Sequence, residues 1–540
     1  MSNFSVSQRN RNIRARVAAQ AAVEGLAVKP TGRVQYRSRG RVAVIGEQVA
    51  MEFATRLSDP LKPQVILLQG AEEPGPPLIS VGGRTLRIEG YLGAFTISLG
   101  EEGKPNYETV EVDLILDLSP KPIVSVTLTP PGYLMAGTEE PSLQAAEQQL
   151  VELVGTFEKP RYFDYDASIC AHARAGQEAC NRCIEACPAE AITSLAESIK
   201  VNPNLCQGGG ICASVCPTGA IRYNYPSAAD TLDRIRTVLR VYGENGGQYP
   251  VVAFVAEEDT EFLPAAPSNL LTVVVEELAS IGLETWLATL AYGARCVLLI
   301  NGGSVPAMVQ VTLDEQLATA GAILNGLGYA PNAIRFITTP ALPEECESTM
   351  PDMQVAHFAG LTEKRRVAFL AIDHLYSRAQ AASQILSLPQ GSPFGIIKVD
   401  EEACTLCMGC TSICPVNAVQ AGNETPALLF HEASCVQCGM CASACPENAI
   451  SLEPRLVADP ELRDRTVTLH EEPPFCCVSC GKPFATNSMI NKMLSKLEGH
   501  WMFQDERARR RLMMCDDCRV VDIAQDPEAM EQGFDTHHRQ

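Results

Sequence analysis

Eight cysteines between residues 404 and 445 limit what this chain can fold into more than any other feature. Cys404, Cys407, Cys410 and Cys414 are spaced C-x2-C-x2-C-x3-C, and Pro415 follows. Cys435, Cys438, Cys441 and Cys445 repeat that spacing, and Pro446 follows. Three thiolates on one tight loop reach three corners of an iron–sulfur cube. The fourth cysteine starts a helix and points to a second cube. The spacing therefore predicts one [4Fe–4S] cluster on Cys404, Cys407, Cys410 and Cys445, and another on Cys435, Cys438, Cys441 and Cys414. Gly409 and Gly439 relieve crowding where the backbone wraps the clusters. A zinc site would want two CxxC pairs, not two four-cysteine runs each ending in Cys-Pro.

On these residues the segment 396–452 resembles the bacterial-type dicluster ferredoxins. Residues 161–227 read as an atypical version of the same module. Cys180, Cys183 and Cys187-Pro188 keep the spacing, but nine residues and not two separate them from the preceding cysteine, Cys170. An inserted loop, Ala171 to Ala179, accounts for the gap, and its His172 is a weak candidate ligand. The second half reads Cys206, Gly209, Cys212, Cys216-Pro217, with Gly209 standing where a cysteine belongs. By the crosswise rule Cys170, Cys180, Cys183 and Cys216 hold a third [4Fe–4S] cluster. Cys187, Cys206 and Cys212 offer only three ligands. That site is left open between a [3Fe–4S] cluster, an atypical [4Fe–4S] cluster with water or another residue at the fourth iron, and an unfilled group of packed thiols.

These two blocks hold fifteen of the 22 cysteines. Clustered thiols in a long chain without a secretory apolar block read as metal ligands, not as disulfides. Residues 1–29 carry Arg9, Arg11, Arg14 and Arg16 and read as a basic arm, flexible or helical, of a cytoplasmic protein. Four further cysteines, Cys477, Cys480, Cys515 and Cys518, form two CxxC knuckles within 470–525. Such knuckles supply four soft ligands in tetrahedral reach, so zinc in a ribbon-like fold is expected, with a further iron–sulfur centre or free thiols as the alternatives. Between them Met489, Ile490, Met493, Leu494 and Leu497 recur at helical spacing, with Thr486 or Asn487 as cap. The run Arg507, Arg509, Arg510, Arg511 reads as a solvated helix face, which could also dock an acidic partner. Cys476 is a spare thiol, Cys346 a surface thiol, Cys296 a core residue, and 526–540 a tail.

The remaining chain alternates strand and helix. Arg41–Gly46, a helix 47–57 and a strand 64–69 open an α/β domain over 30–160, with further strands at 85–89, 94–98 and 110–117 and a helix at 142–154. Only Gly46 stands where a dinucleotide fold wants three glycines, so this domain is read without a nucleotide. Residues 228–385 alternate strands (250–255, 271–275, 296–300, 334–338) with helices (276–292, 313–327), which implies a parallel sheet. The stretch TWLATLAYGARCVLLI followed by AILNGLGYAPNAIRFI resembles the delta subunit of methyl-viologen-reducing hydrogenases, over about 95 residues. That resemblance implies a docking domain between electron carriers. The family's own [2Fe–2S] cysteines are absent, so that cluster is not carried over.

The fold class expected is α/β plus α+β multidomain: two ferredoxin-like dicluster modules, α/β parallel-sheet domains and zinc-ribbon-like knuckles. A formal charge of −21 repels a phosphate backbone, so nucleic acid is not expected as a partner, and no apolar run is long enough for a membrane span. No nucleophile elbow, phosphate loop or HExxH motif is present, and no catalytic residue is assigned. The sequence thus reads as a multi-cluster electron-transfer protein. It would be a non-catalytic relay subunit or adaptor of a larger oxidoreductase, such as a formate dehydrogenase or hydrogenase, partnered by the catalytic subunit or a redox protein. One alternative is an oxidoreductase that binds substrate at the open cluster or a nucleotide in the N-terminal domain. Another is a redox sensor or maturation factor with structural clusters.

Overall fold

Strands buried along all or nearly all of their length need cover on both faces, and the central strands of two parallel sheets are of this kind. Residues Val251–Ala256, all buried, sit beside Leu270–Val275 on one side and Cys296–Ile300 on the other, with Ile334–Ile337 at the far edge. In the N-terminal region the parallel order is Leu78–Ser80, Lys62–Leu67, Arg41–Gly46, Leu114–Asp117, Tyr133–Met135. Helices Gln48–Arg56 and Glu140–Glu152 cover one face through Phe53, Leu143 and Leu150. An antiparallel sheet, Thr85–Glu89, Phe95–Gly100 and Glu108–Val112, covers the other through Phe95, Ile97 and Leu99.

The structure is a computed structural model that describes residues 4–26, 28–29, 31–69, 78–100, 108–262, 267–338, 349–423 and 425–526. The chain divides into two units. One holds Met1–Ser168, Asn181–Leu324 and Tyr329–Arg378, the other Ile169–Cys180, Asn325–Gly328 and Ala379–Gln540. Cys346 and all but the first residue of the 526–540 tail lie outside the described residues.

Several elements differ from the sequence reading for local reasons. The strand expected at 110–117 is two strands in different sheets, parted at Asp113. That buried carboxylate accepts from Arg39 N (2.8 Å), Arg41 N (3.1 Å) and the Arg41 guanidinium (2.8 Å), which pins the crossing point. The helix expected at 276–292 is only Leu283–Ala291, because Gly282 is extended after a short 3-10 turn, Leu278–Ser280. The helix expected at 313–327 starts earlier, at Ala307. The basic arm is a helix, Val6–Glu24, whose capping box pairs Ser5 with Gln8. It packs on Ala228–Glu244, with buried Asn12 accepting from Gln248 N at 2.9 Å.

Both cysteine blocks follow one scheme. In the second, Gly395–Val399 pairs antiparallel with Ile450–Val457, Val419–Ala421 pairs with Ala427–His431, and two short helices, Gly409–Ile413 and Met440–Ser443, lie between. In the first, Phe163–Tyr165 pairs with Ile221–Tyr223 and Ile192–Leu195 with Ser198–Val201, around helices Arg182–Glu185 and Ile211–Val215. The C-terminal segment is a hairpin, Pro474–Cys476 with Pro483–Thr486, followed by helices Asn487–Leu497, Glu506–Leu512 and Asp516–Ala524. Thr486 caps the first of these, accepting from Met489 N. Among the described residues, no helix is long and apolar enough to cross a membrane.

Candidate metal centres

In the second block a left-handed residue sits two and four places after the first cysteine of each loop. These are Leu406 (φ 50°) and Met408 (φ 59°), then Gln437 (φ 53°) and Gly439 (φ 83°). This conformation turns successive backbone N–H groups toward one concavity, a cradle for a negatively charged group. Cys404, Cys407, Cys410 and Cys445 line one cavity together with Leu406, Leu428 and Ile450. Desolvation, with repulsion from Cys404 and Cys407, pushes the Cys410 thiol up to about 12. Burial pushes Cys441 up as well, and Cys438, Cys435 and Cys414 repel it. Cys410 repels it too, so the eight thiols of the block form one crowded group. Crowded thiols of this kind ionise together only against positive charge, which is the donor chemistry of an iron–sulfur group. N–H groups also aim at the sulfurs: Ala418 N at Cys414 (3.2 Å), Ala449 N at Cys445 (3.4 Å) and Gln437 Nε2 at Cys435 (3.5 Å).

The first block copies this backbone with fewer sulfurs. Gly208 (φ 89°) and Gly210 (φ 71°) hold the two left-handed positions after Cys206, and Gly210 caps its helix as Met408 and Gly439 cap theirs. Desolvation raises Cys212 far above the usual thiol range, and Cys206 and Cys187 are the strongest repelling neighbours. The Lys159 ammonium donates to Cys206 O (2.6 Å) and Asn204 O (3.0 Å) and lies 4.9 Å from the Tyr36 ring centre. Burial pushes Lys159 down to about 8, and the Cys206 thiolate opposes that shift. Nothing in the local sequence marked Lys159. Its strand, Gly155–Pro160, pairs with Arg33–Ser38, far away along the chain.

The insertion Ala171–Ala179 is a hairpin, Ala173–Arg174 against Gln177–Glu178, turned at Ala175 and Gly176. It belongs to the unit that contains the second block. Arg174 Nη1 donates to Cys414 O at 3.2 Å, and Cys180 lies near enough to Cys438 for the two thiolates to repel. Burial, with this and other thiolate repulsion, pushes Cys438 up to about 11. His172 is buried, and its Nδ1 lies 3.1 Å from Cys180 O, a backbone contact that competes with metal ligation by that nitrogen.

The sulfurs of Cys477, Cys480, Cys515 and Cys518 all lie within 4.8 Å of one another, and Cys480 and Cys515 are 3.7 Å apart. A tetrahedron of thiolates about 2.3 Å from one zinc has edges of about 3.8 Å. A cube carries its thiolates on four separate irons and needs a wider spread. Burial would raise Cys477, yet N–H groups of Cys515, Cys480 and Ser479 hold it at about 6. Arg509 and Arg510 of the arginine run are exposed, but Arg507 and Arg511 are partly buried and paired. Arg511 pairs with Asp522 at 2.6 Å and also with Asp526, and Arg507 pairs with Asp522 at 3.2 Å. Cys476 is exposed, and Cys296 is buried with Arg335 Nη2 at 3.2 Å.

In the N-terminal sheet, the crevice where a nucleotide would sit lies at the carboxyl ends of Arg41–Gly46 and Leu114–Asp117. Buried Asp117 occupies that end, accepting from Ser119 N (2.9 Å), Ile123 N (3.0 Å) and the Tyr133 hydroxyl.

Residues 403–450 match the family model for a 4Fe-4S dicluster domain, and residues 199–222 that for a 4Fe-4S binding domain. The chain therefore carries two 4Fe–4S ferredoxin-type domains, and iron–sulfur domains of this kind fit an electron-transfer role. Neither match extends into 228–385, so the likeness of that segment to a hydrogenase delta subunit rests on its sequence alone. No curated protein matches the chain.

Proposed function

We propose that this chain is a cytoplasmic electron relay, an adaptor or subunit that passes electrons between a catalytic oxidoreductase subunit and a second redox protein. The two sulfur sets that the spacing gives for 396–452 each hold a [4Fe–4S] cluster. In 161–227 the spacing assigns a third to Cys170, Cys180, Cys183 and Cys216, and a three-thiolate cluster, [3Fe–4S] or an atypical [4Fe–4S], to Cys187, Cys206 and Cys212. Bound there, the clusters supply reversible one-electron chemistry. The chain's own residues fix the thiolates, donate N–H groups to them and exclude water. Cys477, Cys480, Cys515 and Cys518 form a ribbon-like structural zinc site. Residues 228–385 serve as the docking domain, in keeping with their resemblance to a hydrogenase delta subunit.

The observation that carries the relay reading is the doubled cysteine loop of 403–450, which matches a 4Fe-4S dicluster domain and repeats the same two left-handed backbone positions after Cys404 and after Cys435. The test is anaerobic affinity purification of the chain at native abundance, with mass spectrometry of what accompanies it. A dehydrogenase or hydrogenase catalytic subunit in near-equal amount supports the relay. A chain that emerges alone, with clusters that do not cycle under reductant, sinks it.

A further inference from the structure

Three glycines in a row, Gly208, Gly209 and Gly210, interrupt the first block's loop, and only two have a steric reason to be glycine. Gly208 and Gly210 lie in the left-handed region. A Cβ on Gly208 would stand 3.0 Å from the Tyr162 ring, and one on Gly210 would stand 2.5 Å from Ser280. Gly209 has neither constraint. Its φ lies outside the left-handed range, and a Cβ there meets nothing within 4 Å. It occupies the place of Cys407 in the loop Cys404–Cys410 and of Cys438 in Cys435–Cys441. A side chain could therefore start at that point without a clash, and Gly209 itself is partly exposed between two buried glycines.

We infer that Gly209 keeps a coordination position free for an external ligand, a low-molecular-weight thiolate, at a cluster held by Cys187, Cys206 and Cys212. This rests on the atypical [4Fe–4S] form of the three-thiolate site, whose fourth iron accepts the ligand. The ligand class follows from the surroundings. The other donors are soft thiolates, and iron in such a set favours another soft donor. The Lys159 ammonium against the Cys206 carbonyl favours an incoming anion. The thiol binds as thiolate and gives its proton to solvent, with no electron transferred.

The test uses the full chain, purified anaerobically, with 2-mercaptoethanol as probe and low-temperature EPR and Mössbauer spectra as readouts. The expected result is a saturable change in one subset of the iron signals. That change persists in Gly209→Ala, which fills the same space without a donor, and in Cys404→Ser, which damages a different site. It disappears in Gly209→Cys, whose own thiol takes the position while the iron content is retained. A thiol response of equal size in Gly209→Cys, or no response in the native chain, overturns the inference and leaves the three-thiolate cluster standing. Unchanged iron content in Cys212→Ser overturns the cluster reading itself, and the inference with it.

Discussion

The loops Cys404–Cys410 and Cys206–Cys212 share a backbone and differ in what hangs from it. In each, the residues two and four places past the first cysteine are left-handed, and the second of them caps a five-residue helix. Leu406 and Met408 adopt that conformation against the preference of L residues, a strain that persists only where the surroundings over-determine it. Gly208 and Gly210 adopt it freely. The Cys206–Cys212 loop, with two cysteines, has the relaxed backbone and the half-buried Lys159 at its side. The Cys404–Cys410 loop, with three, has the strained backbone and no such lysine among the bonds described. Backbone shape and ligand count are therefore separable: the first makes the cradle, the second decides how closed it is.

This contrast can be broken in several ways. The largest effect is expected from Cys410→Ser. It removes a thiolate from a complete set and should lower bound iron by up to about four atoms per chain. It should also loosen the module, because metal binding contributes to folding. Iron and sulfide analysis with urea unfolding checks this, and unchanged iron would show that the second block does not use Cys410. A smaller effect is expected from Cys407→Gly, which copies the first block's defect into the second. It should cost about one iron at most and give a new EPR-active species after mild oxidation. Complete loss of that cluster would show that an open cradle is not tolerated there, contrary to the comparison.

The C-terminal thiols sharpen the comparison from outside. Their sulfur spacing suits one ion, so Cys515→Ser should remove about one zinc per chain and leave every iron signal in place. Elemental analysis decides it, and loss of iron in that variant would assign the knuckles to a cluster. The smallest effect is expected from Lys159→Met. Removing a cation beside the three-thiolate set makes reduction harder, so that cluster's potential should fall by on the order of tens of millivolts, at an effective dielectric of about 20. The potentials of the 404–445 clusters should not move. A uniform shift across all clusters would show that Lys159 acts through general destabilisation.

What the sequence made legible was what depends on local spacing. Cysteine runs, Cys-Pro ends and all-apolar strands such as Val251–Ala256 are written in consecutive residues, and both ferredoxin-type segments were visible from them. The parallel sheet of 228–385 followed from strand and helix alternation alone. Features set by distant chain segments were not visible. Lys159 reaches Cys206 because its strand pairs with Arg33–Ser38. Asp113 splits a strand because Arg39 and Arg41 bring their N–H groups to it. Arg507 and Arg511 looked solvated because their partner, Asp522, lies on a later helix. The 171–179 insertion was legible as an interruption, and its contact with Cys414 needed the fold.

The central claim is that both cysteine blocks hold redox-active clusters, and that the block containing Gly209 holds the less closed one. A reductive titration of the anaerobically purified full chain, followed by EPR with iron and sulfide counted on the same sample, tests it most directly. The account predicts reversible one-electron signals from both blocks, with a distinct species that Cys212→Ser removes and Cys404→Ser leaves. Signals that all vanish in Cys404→Ser and none in Cys212→Ser would contradict it.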